Sequence, residues 1–455
     1  MPDVRFIHAS DVHLGSPLDA ESKGVSTVEE AVNRATYNAF EEIINWALEL
    51  EVDFLVLAGD IYDKESRSVR ANQFLIDQFE RLRASSIPVF LVYGNHDPMG
   101  SGHEFFEFPD NVTRFPSGEP GVEEIEVDGS TVARVLGQSY RSRHEERTMY
   151  RQFTPADETV PNVGVLHTSL APQSNRYVPC SASDLRGKEA IDYWALGHKH
   201  GLNVYDGDPR LAYPGVPQGR SAGEAGPGGC LLVEVGSGSE AALTFLPTSE
   251  VIWLDRKIDL SGRQFSAGNL DDLREILEDQ CRELLDSNTE DFLTQKVENT
   301  PVDYRPPEHE VKGYIVNWTF SGRSVVHDQL LEKGAEARGQ LLEELRDVYG
   351  ESEPFVWSAD VNFRTAAPIP GLDELVEQDE VYRQLQEIVD EWLSSDEQTD
   401  QLAAMAGDLW NYTEEPEEVG EKEFQLSREK LNDLIERARD RVIDSLYEAT
   451  QRNVD

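Results

Sequence analysis

At 455 residues the chain exceeds what one hydrophobic core usually supports, so two or three domains are expected and a sizeable core is within reach. Its 39% hydrophobic content and seven tryptophans exclude a wholly disordered polymer, and no apolar run approaches the roughly 20 residues that span a bilayer, so a cytoplasmic protein without membrane contact is expected. The 87 acidic residues against 41 basic ones give a net charge of -46, which on charge alone counts against nucleic acid, because DNA binding normally rests on a basic footprint that displaces counterions.

Residues 1–250 alternate short apolar runs with amphipathic helices, as an α/β core does. Val4 to Ala9 reads as a strand, Tyr37 to Leu50 as a helix with Phe40, Ile43, Ile44, Ala47 and Leu48 on one face, and Phe54 to Ala58 as a buried strand. A second helix turns Val69, Phe74, Leu75, Phe79 and Leu82 inward, ends near Ser85 and Ser86, and hands over to the strand Pro88 to Tyr93. Asp128-Gly129, between Ile125 to Val127 and Val132 to Val135, is a hairpin-turn signal, and Gly236 to Ser239 repeats it between Leu231 to Val235 and Ala241 to Phe245. The expected architecture is α/β, with two mixed β-sheets stacked face to face and flanked by helices.

The character changes after Leu254, and residues 251–365 read as a small α+β domain. It has a helix from Leu270 to Leu285, a loop marked by Pro301 and Pro306-Pro307, a strand Tyr314 to Phe320 and a helix Ala335 to Val348. Residues 366–455, past Pro368 and Pro370, read as an acidic helical tail. There Leu431, Leu434, Ile435, Ala438, Val442, Ile443 and Leu446 form an apolar stripe, suited to a neighbouring helix or to a partner. Cys180, Cys230 and Cys281 are widely spaced and outside any CxxC pattern, so they read as buried small apolar residues rather than disulfide or zinc partners.

Five polar clusters each follow an apolar strand. They are Asp11-Val-His13, Gly59-Asp60-Ile-Tyr-Asp63, Gly94-Asn95-His96-Asp97, the single His167 after Val163 to Leu166, and Gly197-His198-Lys-His200 after Tyr193 to Leu196. In an open α/β sheet the carboxyl ends of the strands face one crevice, so these tips are expected to meet there. Carboxylates, imidazoles and an amide oxygen hold divalent metals of intermediate hardness, and several histidines favour manganese over calcium or magnesium. Alternate strand residues point the same way, so Asp11 with His13, or His198 with His200, lines one side of a crevice. A carboxylate such as Asp60 can bridge two ions about 4 Å apart, the spacing at which a metal pair activates a water and stabilises in-line displacement at phosphorus. Taken singly, His167 reads better as a satisfied core residue and Gly59-Asp60 has a turn as its alternative; it is all five, in order and at strand ends, that point to a metal site. His103 and His144 lie in loops, His309 beside the Pro-rich loop and His327 after a strand of the second domain, and these are set aside. His8 should face away from Asp11, for core packing or, as the alternative, support of a ligand.

The five clusters resemble the pattern of the calcineurin-like metallophosphoesterases: DxH, GDxxD, GNHD, a single H, and GHxH. The resemblance implies one metal on Asp11, His13, Asp60 and His200 and another on Asp60, Asn95, His167 and His198. It also implies that His96 hydrogen-bonds the phosphate and protonates the leaving oxygen, work suited to an imidazole. Within that superfamily the chain resembles the SbcD-type and YhaO-type DNA repair nucleases. The likeness rests on His8-Ala-Ser-Asp-Val-His-Leu-Gly15, on Gly59 to Asp63 with the following helix bearing Arg67 to Asn72, on Pro88 to Pro98, and on Tyr193 to His200 leading to Tyr213-Pro-Gly-Val-Pro-Gln-Gly-Arg220. It implies a manganese-dependent exonuclease or endonuclease acting on double-stranded DNA ends or single strands, with a capping domain and a helical tail that binds the coiled coil of an SbcC-like ATPase. A second copy of the chain is a further candidate partner. Many family members carry a His where Asp63 stands, said to help position substrate.

The acidic excess is spread along the whole chain and arginine greatly outnumbers lysine, a pattern that resembles halophilic, haloarchaeal proteins. In such a cytoplasm an acidic surface stays hydrated and its self-repulsion is screened over a few ångströms, which reconciles the charge with a DNA substrate. Two competing readings are a phosphodiesterase or phosphatase of small nucleotides that uses the same metals, and a scaffold coupling an ATPase to DNA.

Overall fold

The computed structural model describes residues 4–20, 25–63, 68–100, 107–127, 129–155, 158–172, 176–262, 265–287, 289–298, 300–307, 309–369, 379–394 and 428–452. In chain order the strands are β1 (Val4–Ala9), β2 (Phe54–Ala58), β3 (Val89–Val92), β4 (Val112–Arg114), β5 (Gly121–Val127), β6 (Ser130–Gly137), β7 (Asn162–His167), β8 (Tyr193–Gly197), β9 (Asn203–Tyr205), β10 (Arg210–Tyr213), β11 (Gly229–Val235), β12 (Ala242–Pro247), β13 (Val251–Asp259), β14 (Asp303–Tyr304), β15 (Gly313–Arg323) and β16 (Phe355–Ala366). The helices are α1 (Ser26–Glu49), α2 (Val69–Ala84), α3 (Ala182–Arg186), α4 (Leu270–Asp286), α5 (Thr289–Val297), α6 (His327–Tyr349), α7 (Glu380–Ser394) and α8 (Arg428–Arg452).

β1, β2 and β3 are apolar nearly throughout, the composition of parallel strands covered on both faces, and they pair in parallel. Antiparallel β11 and β12 extend them into a seven-stranded mixed sheet ordered β14-β12-β11-β1-β2-β3-β4. A six-stranded mixed sheet runs β5-β6-β7-β8-β10-β9, with parallel β6-β7-β8-β10 at its centre. The two sheets meet through their alternate residues: Phe6, Phe54, Val56 and Phe90 of the first share a core with Val135, Val163, Val165, Tyr193 and Ala195 of the second. The intervening residues Ile7, Leu55, Leu57 and Leu91 face the other way, under Phe40, Ile43 and Ile44 of α1 and Leu75 and Phe79 of α2. This is the expected stack of mixed sheets flanked by helices, and both expected hairpins, β5 to β6 and β11 to β12, form.

Several boundaries differ from expectation for reasons of packing. α1 begins at Ser26 rather than Tyr37, because Val28, Ala31, Val32 and Ala35 continue its buried face onto a separate cluster with Trp253, Ile315 and Trp357. Val69 is 57% exposed rather than turned inward, since it opens α2 directly after the Ser68 cap, whose side chain accepts the Ala71 N–H. α6 begins at His327 rather than Ala335, β13 runs on past Leu254, and α5 and β16 had no counterpart in the expectation.

The chain divides into two compact units, Met1–Asp255 with Asp279–Asn317 and Leu342–Ala359, and Arg256–Glu278 with Trp318–Leu341 and Asp360–Asp455. The first holds both large sheets. In the second, α7 and α8 pack together through Leu385, Val389 and Leu393 against Leu431 and Ile435. Of the expected stripe on α8, Leu431, Ile435 and Ile443 are buried while Leu434 and Val442 are 40% and 43% exposed. Residues 395–427, expected to be helical, lie outside the described residues, as do Arg67 and His103. Among the described residues no helix is long and apolar enough to cross a membrane.

Candidate metal centre

Asp11 and His13 follow β1, Asp60 and Asp63 follow β2, and Asn95, His96 and Asp97 follow β3, all on the seven-stranded sheet. His167 ends β7, and His198 and His200 follow β8, on the six-stranded one. The site therefore spans the carboxyl edge of both sheets. Backbone pairing outlasts the strands, with Asp11 N–H donating to Gly59 O (3.0 Å), His13 N–H to Asp60 O (3.1 Å) and Thr168 N–H to Gly197 O (3.0 Å). Asp11, His13, Asp60 and His198 have φ of 52°, 46°, 51° and 106°, a backbone region that side chains with a Cβ rarely adopt. Such strain persists only where the surroundings over-determine it, and here it falls on four of the expected ligands. The glycines serve close approach: a Cβ on Gly59 would collide with the His167 ring, and one on Gly94 with the Asp60 carboxylate.

All the expected site residues gather in this cluster. Asp11, His13 and His200 offer ligand atoms within 4.8 Å of one another, and so do Asp11, Asp60 and His167. Asp11 is common to these two groups, and His13, Asp63 and His96 form a third. Asn95 Oδ1 lies 2.9 Å from His167 Nε2 and 3.2 Å from His198 Nδ1, and Asp60 Oδ2 lies 3.2 Å from His167 Nε2. The His96 backbone N–H donates to Asp60 Oδ1 at 2.9 Å, and its ring meets that of His13 edge-on at 5.1 Å.

The imidazoles are held as metal-binding histidines are. His13 Nδ1 is 2.6 Å from Asp63 Oδ1, His200 Nδ1 is 2.6 Å from Glu224 Oε1, and His167 Nδ1 donates to Ala58 O at 2.9 Å. An acceptor at Nδ1 keeps the proton there and turns the Nε2 lone pair inward. Among the described residues the buried His13 Nε2 has no hydrogen-bond partner, a state that costs about 1–3 kcal/mol unless something coordinates it. At His167 the Nε2 lone pair faces two acceptor oxygens, of Asn95 and Asp60, which repel it unless a cation or a proton lies between. Burial lowers the His167 pKa but the Asp60 carboxylate outweighs it and raises it to about 9; a divalent ion satisfies the same atoms without the proton. His198 is pushed well below its ordinary value by burial and by His167, which leaves it neutral. Burial also works against the Asp60 carboxylate, yet His167, His96 and His13 outweigh it and keep it ionised. These donors fit divalent cations of intermediate hardness.

Four further residues complete the surroundings, and strand-end placement identified none of their roles. Asp63 takes His13 Nδ1 and, at 3.1 Å, His96 Nδ1 on Oδ1, and Ser16 Oγ and Arg220 Nη1 on Oδ2. Burial opposes its ionisation, but His13, His96 and Arg220 outweigh that and hold it well below the carboxylate range. Asp97 accepts Ile61 N–H (2.8 Å) and Gly94 N–H (2.9 Å), tying the second and third loops together, while burial and Asp60 push its pKa to about 7. Glu224 and Arg220 arrive from the turn between β10 and β11. His8 is a crosslink within the core: its Nε2 donates to Leu196 O (3.1 Å), its Nδ1 accepts from the Tyr193 hydroxyl (3.0 Å), and burial holds its pKa down to about 3. His144 is exposed, His309 pairs with Glu42 at 3.3 Å, and His327 bonds Thr365, all away from the cluster.

Residues 4–202 match the calcineurin-like phosphoesterase family. The uncharacterized metallophosphoesterase YhaO of Bacillus subtilis is 31% identical over 363 residues, 78% of this chain and 81% of that protein. The chain belongs to the calcineurin-like phosphoesterase family. Two archaeal relatives described as DNA double-strand break repair protein Mre11 match less of it: that of Archaeoglobus fulgidus at 26% identity over 47% of this chain, and that of Aeropyrum pernix at 28% over 48%. The chain spans about half the length of these two, 49% and 53%. As a calcineurin-like phosphoesterase the protein is a metal-dependent phosphoester hydrolase. The family match takes in every expected site residue from Asp11 to His200 and stops short of Arg220 and Glu224.

Proposed function

We propose that the protein is a two-metal, manganese-dependent DNA repair nuclease, with Asp11, His13, Asp60 and His200 holding one ion, Asp60, Asn95, His167 and His198 the other, and His96 as the general acid. The observation that carries this reading is the buried Nε2 of His13, which has no hydrogen-bond partner among the described residues and lies beside Asp11 and His200. When bound, the two ions supply an activated water and charge that offsets the build-up on the phosphoryl oxygens. The chain's own residues orient the reaction. Asp63 holds the Nδ1 of His96, so the proton for the leaving oxygen comes from Nε2, and the bond from the His96 N–H to Asp60 fixes the loop that carries it.

DNA as the substrate is supported by the likeness to the Mre11 proteins and by residues 251–365, read as a capping domain although β14 within them joins the seven-stranded sheet, and 366–455, read as a tail, which hydrolysis of a small ester does not need. Val381 and Ile388 on α7, 55% and 44% exposed, with Leu434 and Val442 on α8, offer an apolar surface for the coiled coil of an SbcC-like ATPase. The net charge of -46 favours the second reading, a phosphodiesterase of small nucleotides, unless high salt screens it. The protein with manganese in concentrated salt is expected to shorten or nick linear duplex DNA as well as hydrolyse bis(p-nitrophenyl) phosphate. Hydrolysis confined to the small ester would end the nuclease reading.

A further inference from the structure

We propose that Arg220 is a positioning residue that sets the mutual orientation of His13 and His200 by bridging the two carboxylates that hold them, Asp63 and Glu224. The inference rests on the reading above, in which both imidazoles serve one metal ion. Arg220 Nη1 lies 2.8 Å from Asp63 Oδ2, Nη2 lies 3.5 Å from Glu224 Oε1, and the Arg220 backbone N–H donates to Glu224 Oε2 at 2.5 Å. The three side chains are 11%, 12% and 10% exposed, so little water screens them. The chain of contacts closes on itself: His13 to Asp63, Asp63 to Arg220, Arg220 to Glu224, Glu224 to His200, and the His200 ring edge-on to the His13 ring at 5.2 Å.

Within that loop Arg220 joins parts that no strand pairing brings together. Asp63 follows β2 in the seven-stranded sheet, while Glu224 ends the short turn Ala222–Glu224 after β10 of the six-stranded one. Two buried carboxylates so placed repel each other, and a guanidinium between them offsets that repulsion while its planar fork of five donors fixes direction as well as charge. Lysine keeps the charge as a single point and reaches one carboxylate at a time. The backbone adds a further tie, since Arg220 O accepts the Asp19 N–H (2.7 Å) from the segment between β1 and α1. Arg220 thus acts through the imidazoles and not on the substrate. Asp63 also carries His96, so the same bridge keeps the acid in register with that metal position.

The test is manganese binding by the full chain in concentrated salt, followed calorimetrically and by the electron paramagnetic resonance of the free ion. Wild-type protein should bind in two steps; fewer than two would sink the metal reading itself, a different failure from that of Arg220. Given two steps, Arg220→Gln is expected to weaken one of them by roughly 10–100-fold, as loss of a group supporting a ligand does, and to leave the other unchanged. Arg220→Lys should weaken the same step by less, and Glu224→Gln should act on that step too. If Arg220→Gln fails to fold, the Lys and Glu224→Gln variants decide on the same criterion. Both steps unchanged, or both weakened alike, would overturn the proposal and leave Arg220 as an ordinary structural ion pair.

Discussion

Asp60→Asn is expected to reduce phosphodiester hydrolysis to background and to lower the manganese bound per chain. Asp60 is 1% exposed, sits at φ 51° and is kept ionised by the surrounding imidazoles. Its Oδ1 accepts the His96 N–H and its Oδ2 faces His167 Nε2. The amide keeps one oxygen and replaces the other by a donor, so an N–H must face either the His96 N–H or the nitrogen that should ligate. The charge that balances the cation is lost at the same time, and an uncompensated buried charge is among the most expensive changes a site can suffer. The assay is hydrolysis together with elemental analysis of the dialysed protein. Activity within tenfold of wild type, at unchanged metal content, would remove Asp60 from the ligand set.

His96→Gln should separate acid catalysis from metal binding. The His96 side chain is 16% exposed, against 0% for His13 and His167, and its Nδ1 rests on Asp63. A positioned general acid contributes roughly 10²–10⁴-fold, so kcat should fall by that factor while bound manganese stays the same. The loss should depend on the leaving group. An alkoxide needs the proton and should suffer the full drop, whereas p-nitrophenolate leaves readily without one and should suffer far less. Equal losses for both esters would mean that His96 binds the phosphate without protonating anything.

The candidate centre was legible in sequence because its expected ligands stand directly after buried strands. Val4 to Ala9 and Phe54 to Ala58 announce themselves by composition, and Asp11 and Asp60 follow within a residue or two. The sandwich was legible for the same reason, since Phe6 and Ile7 supply two cores by simple alternation. What escaped depends on return through space. Glu224 and Arg220 carry no strand-end signature, because a turn folds back beneath His200 to bring them there. Asp63 was visible as part of a cluster, but four groups converge on it from Ser16, His13, His96 and Arg220, which no local pattern encodes. Likewise the early start of α1 is set by Trp253 and Trp357, which lie far along the chain and give Val28 and Val32 something to pack against.

Anomalous scattering at the manganese edge, from crystals grown with that ion, locates the bound metals directly. Two peaks per chain are expected, one among Asp11, His13 and His200, the other among Asn95, His167 and His198, with Asp60 reaching both. A single peak, or peaks away from these residues, would contradict it.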